Sequence, residues 1–106
     1  TDAEQTDGKI AAETVKLLEA NKDRPFFLAC GFFRPHTPYV APKKYFDLYP
    51  VDQVGLPVVP ADHWEKGPKP AFGSAYPEHA KLTDDLRRQA IQAYRAGTSF
   101  MDAQLG

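Results

Sequence analysis

The chain has 106 residues, 13 basic and 14 acidic side chains and a net charge of −1, so it allows one small domain at most. With 42% apolar and 25% charged residues the composition is that of an ordinary globular protein, which argues against wholesale disorder. The two signs of charge are interspersed, which excludes a nucleic-acid footprint and a polybasic membrane patch, and no apolar run approaches the ~20 residues that span a bilayer.

The first expected element is a helix. Ile10, Ala11, Thr14, Val15 and Leu18 share one face of a 3.6-residue period, and Lys9, Glu13, Lys16 and Glu19 fill the remainder. Asp7, or Thr6 before it, suits the N-cap. Asn21 suits the left-handed position after the helix, and Pro25 blocks continuation. The run Phe26 to Phe33 follows at once. It is apolar throughout and does not alternate, the pattern of a strand buried on both faces in a parallel sheet covered by helices. Cys30, the single cysteine, lies inside it and reads as a small buried core residue without a disulfide partner or a zinc cluster. A helix feeding such a strand is half of an α/β unit. No second strand of comparable quality exists, since Gly55 to Val59 is broken by Pro57. A solitary strand leaves its backbone polar groups unpaired, so the chain reads as a fragment of a larger sheet protein.

Arg34-Pro35-His36-Thr37-Pro38-Tyr39-Val40-Ala41-Pro42 is an extended loop stiffened by prolines. Pro42 opens a short helix through Tyr49, and Pro50 stops it. Residues 51 to 80 hold apolar groups without a period and read as a long loop with short helical turns, pinned to the surface by Trp64 and Tyr76. Thr83 to Gly106 is a second helix with a stripe at Leu86, Ala90, Ile91, Tyr94, Gly97, Met101 and Leu105. Thr83 or Asp84 caps it, and the small residues Gly97, Thr98 and Ser99 permit close approach by another element.

Ligands of open α/β sheets bind beyond the carboxyl ends of the strands, which makes Arg34 and His36 the prime candidates. A guanidinium supplies a planar permanent charge, and an imidazole supplies an N–H donor or a proton for a leaving oxygen. On residue types alone the pair reads first as surface decoration. Its place beyond the strand and its framing by prolines, which pre-organise the loop, bring an oxyanion site level with that reading. His63 and His79 sit in loops with nothing convergent and read as surface groups. Asp84 and Asp85 at a helix start are explained by capping rather than by a metal. No phosphate loop, nucleophile elbow or zinc-protease motif is present.

Phe26 to Pro50, with its Pro-Phe-Phe-Leu-Ala-Cys-Gly strand leading into Arg-Pro-His-Thr-Pro, resembles sulfatases of the alkaline-phosphatase-like superfamily, most of all the iduronate-sulfatase branch. The stretch Tyr94 to Gly106, Tyr-Arg-Ala-Gly-Thr-Ser-Phe-Met-Asp-Ala-Gln-Leu-Gly, is similar to the same family's Tyr-x-Ala-Ser-Val-Ser-Phe-x-Asp-x-Gln-x-Gly helix. The resemblance implies that residues 1–106 are an internal part of a single catalytic domain. The fold class implied is α/β: a piece of a sandwich comprising helix, buried strand, proline-rich loop with short helix, long loop and C-terminal helix. It implies hydrolysis of a sulfated carbohydrate or small sulfate ester, without nucleic-acid or membrane partners, in a secreted, periplasmic or lysosomal protein. His36 then matches the family histidine that contacts the sulfate group or the bridging oxygen. Arg34 matches a substrate-side position that is lysine in some relatives. The family's formylglycine nucleophile and calcium are implied for the parent protein. Neither is expected from this chain, because Cys30 is followed by Gly31, Phe32 and Phe33 rather than by x-Pro-x-Arg, and the paired aspartates of the metal site are absent. A phosphatase or phosphodiesterase relative on the same fold, and a non-catalytic helical interaction module, are the alternatives.

Overall fold

The computed structural model describes all 106 residues. After a short turn at Asp2–Glu4, helix α1 runs over Thr6–Asn21, α2 over Lys43–Phe46, α3 over His63–Lys66 and α4 over Asp84–Leu105. Single 3-10 turns at Val51–Gln53, Lys69–Phe72 and Pro77–Lys81 punctuate the stretch between α2 and α4. The long loop with short helical turns is thus present as expected. So is the cap of α4, where the Thr83 hydroxyl accepts the Leu86 N–H at 3.3 Å.

Helix α1 forms where its periodicity places it, with two differences at its ends. Its N-cap is Gln5, and Asp7 lies in the first turn, buried. Asn21 does not turn left-handed. Its amide donates to the Leu17 carbonyl at 2.8 Å and its oxygen accepts from the Arg24 guanidinium, so the helix stops within right-handed geometry at Lys22.

The expected buried strand is not formed. Residues 25–33 adopt no regular secondary structure, and the N–H groups of residues 26–32 donate no backbone hydrogen bond. Phe27 is 93% exposed and Phe33 64%. Cys30 is exposed too, its sulfur receiving the Thr14 hydroxyl at 3.2 Å, so the reading of it as a core residue is corrected. The physical reason is that no other segment of this chain is extended beside it. The ladder and the covering faces that a buried strand requires are both missing.

The core lies elsewhere, between α2 and α4. Tyr45, Ala96 and Phe100 form it, with Ala41 and Phe46 packed alongside. The Tyr45 and Phe100 ring centroids are 5.5 Å apart, and Phe100 is fully enclosed. The Tyr45 hydroxyl donates to Asp2 at 2.7 Å, Lys44 reaches the same oxygen at 2.8 Å, and Tyr49 pairs with Ser99 at 2.7 Å. The buried face of α4 is therefore Ala96, Gly97 and Phe100, whereas Leu86, Tyr94 and Leu105 of the expected stripe are largely exposed. The two sets share Gly97 and adjoin on the helix surface, so one edge of a broad apolar arc is packed and the other is open. The radius of gyration of 18.4 Å exceeds the ~13 Å of a compact domain of about 100 residues.

Trp64 and Tyr76 do not pin the long loop down. Trp64 is 57% exposed and stacks on Phe72 at 4.6 Å, with His63 edge-on to both, so the loop makes its own small aromatic cluster.

Candidate functional site

The loop that leaves the apolar run Phe26 to Phe33 is fixed at several points. At its start, the Asp7 carboxylate accepts the Phe33 N–H at 2.8 Å and the Arg34 N–H at 2.9 Å. The His36 N–H then donates back to the Phe33 carbonyl at 3.0 Å, closing a turn. The Arg34–Pro35 and Thr37–Pro38 peptide bonds on either side of His36 are both cis. On its far side the loop lies on α4, where Pro35 packs against Gly97 and the Tyr39 ring meets Tyr94 edge-on at 6.0 Å.

His36 is exposed and stands just past the apolar run, in an open depression of about 350 Å³ that it lines with Gly31, Phe32 and Phe33. Its Nδ1 lies 2.6 Å from the Thr37 carbonyl. A carbonyl only accepts, so Nδ1 carries the proton and Nε2 is left for a ligand. In the imidazolium form that nitrogen is a donor. The ring is therefore not turned into packed hydrocarbon, and the turn that carries it restricts its movement.

Arg34 behaves differently from a free oxyanion clamp. Its Nε donates to the Val40 carbonyl at 2.6 Å and its Nη1 to the His36 carbonyl at 3.4 Å. The guanidinium thus braces the loop that bears His36. Nη2 has no protein partner and keeps donors for an anion.

The remaining polar residues do not converge on this loop. The His79 ring accepts the Tyr76 N–H at 3.4 Å, and Asp84 and Asp85 pair with Arg87 and Arg88 one turn on. No group of three or more His, Cys, Asp or Glu side chains stands close enough to hold a metal ion. No helix is long and apolar enough to cross a membrane.

Sequence reasoning missed Asp7, which it read as a capping residue. A signal was available. Asp7 precedes Ile10, Ala11 and Thr14 by three, four and seven residues, which puts a carboxylate on the apolar stripe of α1 rather than on its polar side.

Comparison with known proteins gives a consistent set of relatives. The chain is 31% identical to the iduronate 2-sulfatase of Mus musculus over 94% of its own length, and 38% identical to a sulfatase of Formosa agariphila over 81%. It covers 21% and 18% of those proteins, so it spans about a fifth of the length of the relatives it matches. A multifunctional alkaline phosphatase superfamily protein of Trinickia caryophylli is 37% identical over 39% of this chain and 8% of its own length. No family model matches the chain, and no solved structure does.

Proposed function

The chain belongs to the sulfatase family, within the alkaline-phosphatase-like superfamily, and we propose that it forms one wall of an active site that hydrolyses sulfate esters. In this reading His36 contacts the sulfate group or the bridging oxygen through Nε2. The single observation that supports it is the placement of that imidazole: exposed just past the apolar run, held by a closed turn, with Nδ1 engaged by Thr37 and Nε2 free.

Hydrolysis breaks the bond between sulfur and the bridging oxygen, leaving an alcohol and inorganic sulfate. Negative charge develops on the bridging oxygen as that bond opens, and the oxygen must gain a proton. An imidazolium with Nε2 within ~3 Å of it stabilises the charge and supplies the proton. Arg34 keeps the loop in shape and offers Nη2 to the sulfate oxygens, so its contribution to substrate contact is secondary to its bracing role.

The nucleophile and calcium that the family implies do not fit the residues of this chain. Cys30 lies outside a Cys-x-Pro-x-Arg sequence, and no set of metal-ligating side chains converges. We assign both to other parts of the intact protein and expect this chain to be inactive on its own. The test is His36→Ala in the full-length protein, assayed with 4-nitrophenyl sulfate and, in parallel, 4-nitrophenyl phosphate. A fall in sulfatase turnover on the order of 10²–10³ is expected, the usual cost of removing one such donor. Unchanged turnover rejects the role of His36, and phosphate hydrolysis without sulfate hydrolysis by the wild-type protein would move it to the phosphatase branch.

A further inference from the structure

We propose that Asp7 is the positioning residue of the His36 loop, setting the place of the imidazole through the backbone without touching substrate. This rests on the reading of His36 as the group that meets the sulfate ester. Asp7 is 1% exposed in a chain where only seven residues are buried. A carboxylate is enclosed at acceptable cost only when its oxygens are hydrogen-bonded, and the first turn of α1 also favours a negative charge. Both oxygens are used on two consecutive N–H groups, those of Phe33 and Arg34.

Successive N–H groups of an extended chain point to opposite sides. Two of them can reach one carboxylate only where the chain turns, as in the concave N–H arrangements that bind anions. Asp7 therefore holds the chain at the residue where the turn begins. Phe33 then links it directly to the site: its N–H is held by Asp7, and its carbonyl receives the N–H of His36 at 3.0 Å. One residue separates the buried carboxylate from the turn that carries the ring. Helix α1, through Asp7, thereby sets where the imidazole stands, while Arg34 and Gly97 brace the loop from its other sides.

The experiment is a double-mutant cycle in the full-length protein with 4-nitrophenyl sulfate, with the thermal midpoint of each variant measured alongside. Asp7→Asn keeps the shape but turns an amide NH₂ toward an N–H donor, and Asp7→Glu keeps both oxygens one methylene farther out. Each is made alone and together with His36→Ala. Displacement of a reacting group by about 1 Å costs on the order of 10²-fold, so each single Asp7 variant should lower kcat by about 10- to 100-fold with KM nearly constant. In the His36→Ala background the same substitution should cost under ~2-fold, because the group being positioned is gone. Equal losses in both backgrounds overturn the positioning role and make Asp7 a structural residue. Unchanged kcat in both single variants overturns it as well. If Asp7→Asn does not fold, the Asp7→Glu cycle decides, and failure of both to fold also assigns Asp7 to structure alone. Failure of the His36 reading is separately visible, as wild-type turnover in His36→Ala itself.

Discussion

A Cβ on Gly97 would lie 3.7 Å from the Cα and Cβ of Pro35, which is ordinary van der Waals contact with the loop that carries His36. The helix and the loop are thus in touch, with room for one methyl group and no more. Gly97→Ala should be tolerated and should stabilise the protein by about 0.5–1 kcal/mol, since alanine is the better helix residue. Gly97→Leu has nowhere to go and should push the loop away, lowering kcat of the full-length protein by about 10-fold or more. Thermal melts and sulfatase assays of the two variants check this pair. Equal activity in both would show that the loop does not depend on α4.

The helices were legible in the sequence because their signals are local. The period of Ile10 to Leu18, the Thr83 cap and the Pro25 stop each act within a turn or two. The state of Phe26 to Phe33 was not, because a strand is completed by its neighbours and none of them lies within these 106 residues. The stripe of α4 was misjudged for a related reason: its apolar arc is broad, and which edge of it packs here depends on where Tyr45 comes to rest. The loop holding Arg34 and His36 was legible from its prolines and its place after the apolar run. The anchoring by Asp7 spans 26 residues of sequence, a distance over which periodicity carries no information.

The packed center predicts a specific loss. Phe100 is fully enclosed and its ring sits 5.5 Å from that of Tyr45, so Phe100→Ala should destabilise the protein by about 3 kcal/mol or more. Tyr45→Phe keeps the ring and removes only the hydroxyl that donates to Asp2, at a cost of about 1 kcal/mol. Denaturant unfolding of the full-length variants measures both. A Tyr45→Phe loss as large as that of Phe100→Ala would mean that the polar contact, rather than the packing, holds α2 to α4.

Asp2 sets a pH dependence. The hydrogen bond from Lys44, followed by that from the Tyr45 hydroxyl, holds its carboxyl below the ordinary aspartate value of 3.8. A group whose folded value is depressed contributes stability above its unfolded value, and that contribution disappears as pH falls through the folded one. The stabilising effect of Asp2 should therefore be complete at pH 6 and fade below pH 3.8. The measurement is the difference in thermal midpoint between wild type and Asp2→Asn, followed from pH 6 downward. It should be positive at pH 6 and shrink in acid. A difference that stays constant would show that Asp2 acts through packing and not through its charge.

The apolar surface of the chain separates the two classes of function. A free-standing interaction module would fold cooperatively as a monomer. Yet Phe27 is 93% exposed, Leu105 72% and Val15 59%, on three separate elements, and the N–H groups of residues 26–32 donate to no backbone carbonyl. Exposed apolar area on this scale, with open backbone groups beside it, marks surfaces that pack against further protein. Residues 1–106 expressed alone should show helical circular dichroism from α1 and α4, bind a hydrophobic dye, and melt over a broad range without a cooperative midpoint. Fused back into the full-length protein, the same residues should lose the dye signal. A sharp two-state transition of the monomeric 106-residue chain would instead make it an independent domain. The imidazole beyond its apolar run would then have no wall to complete.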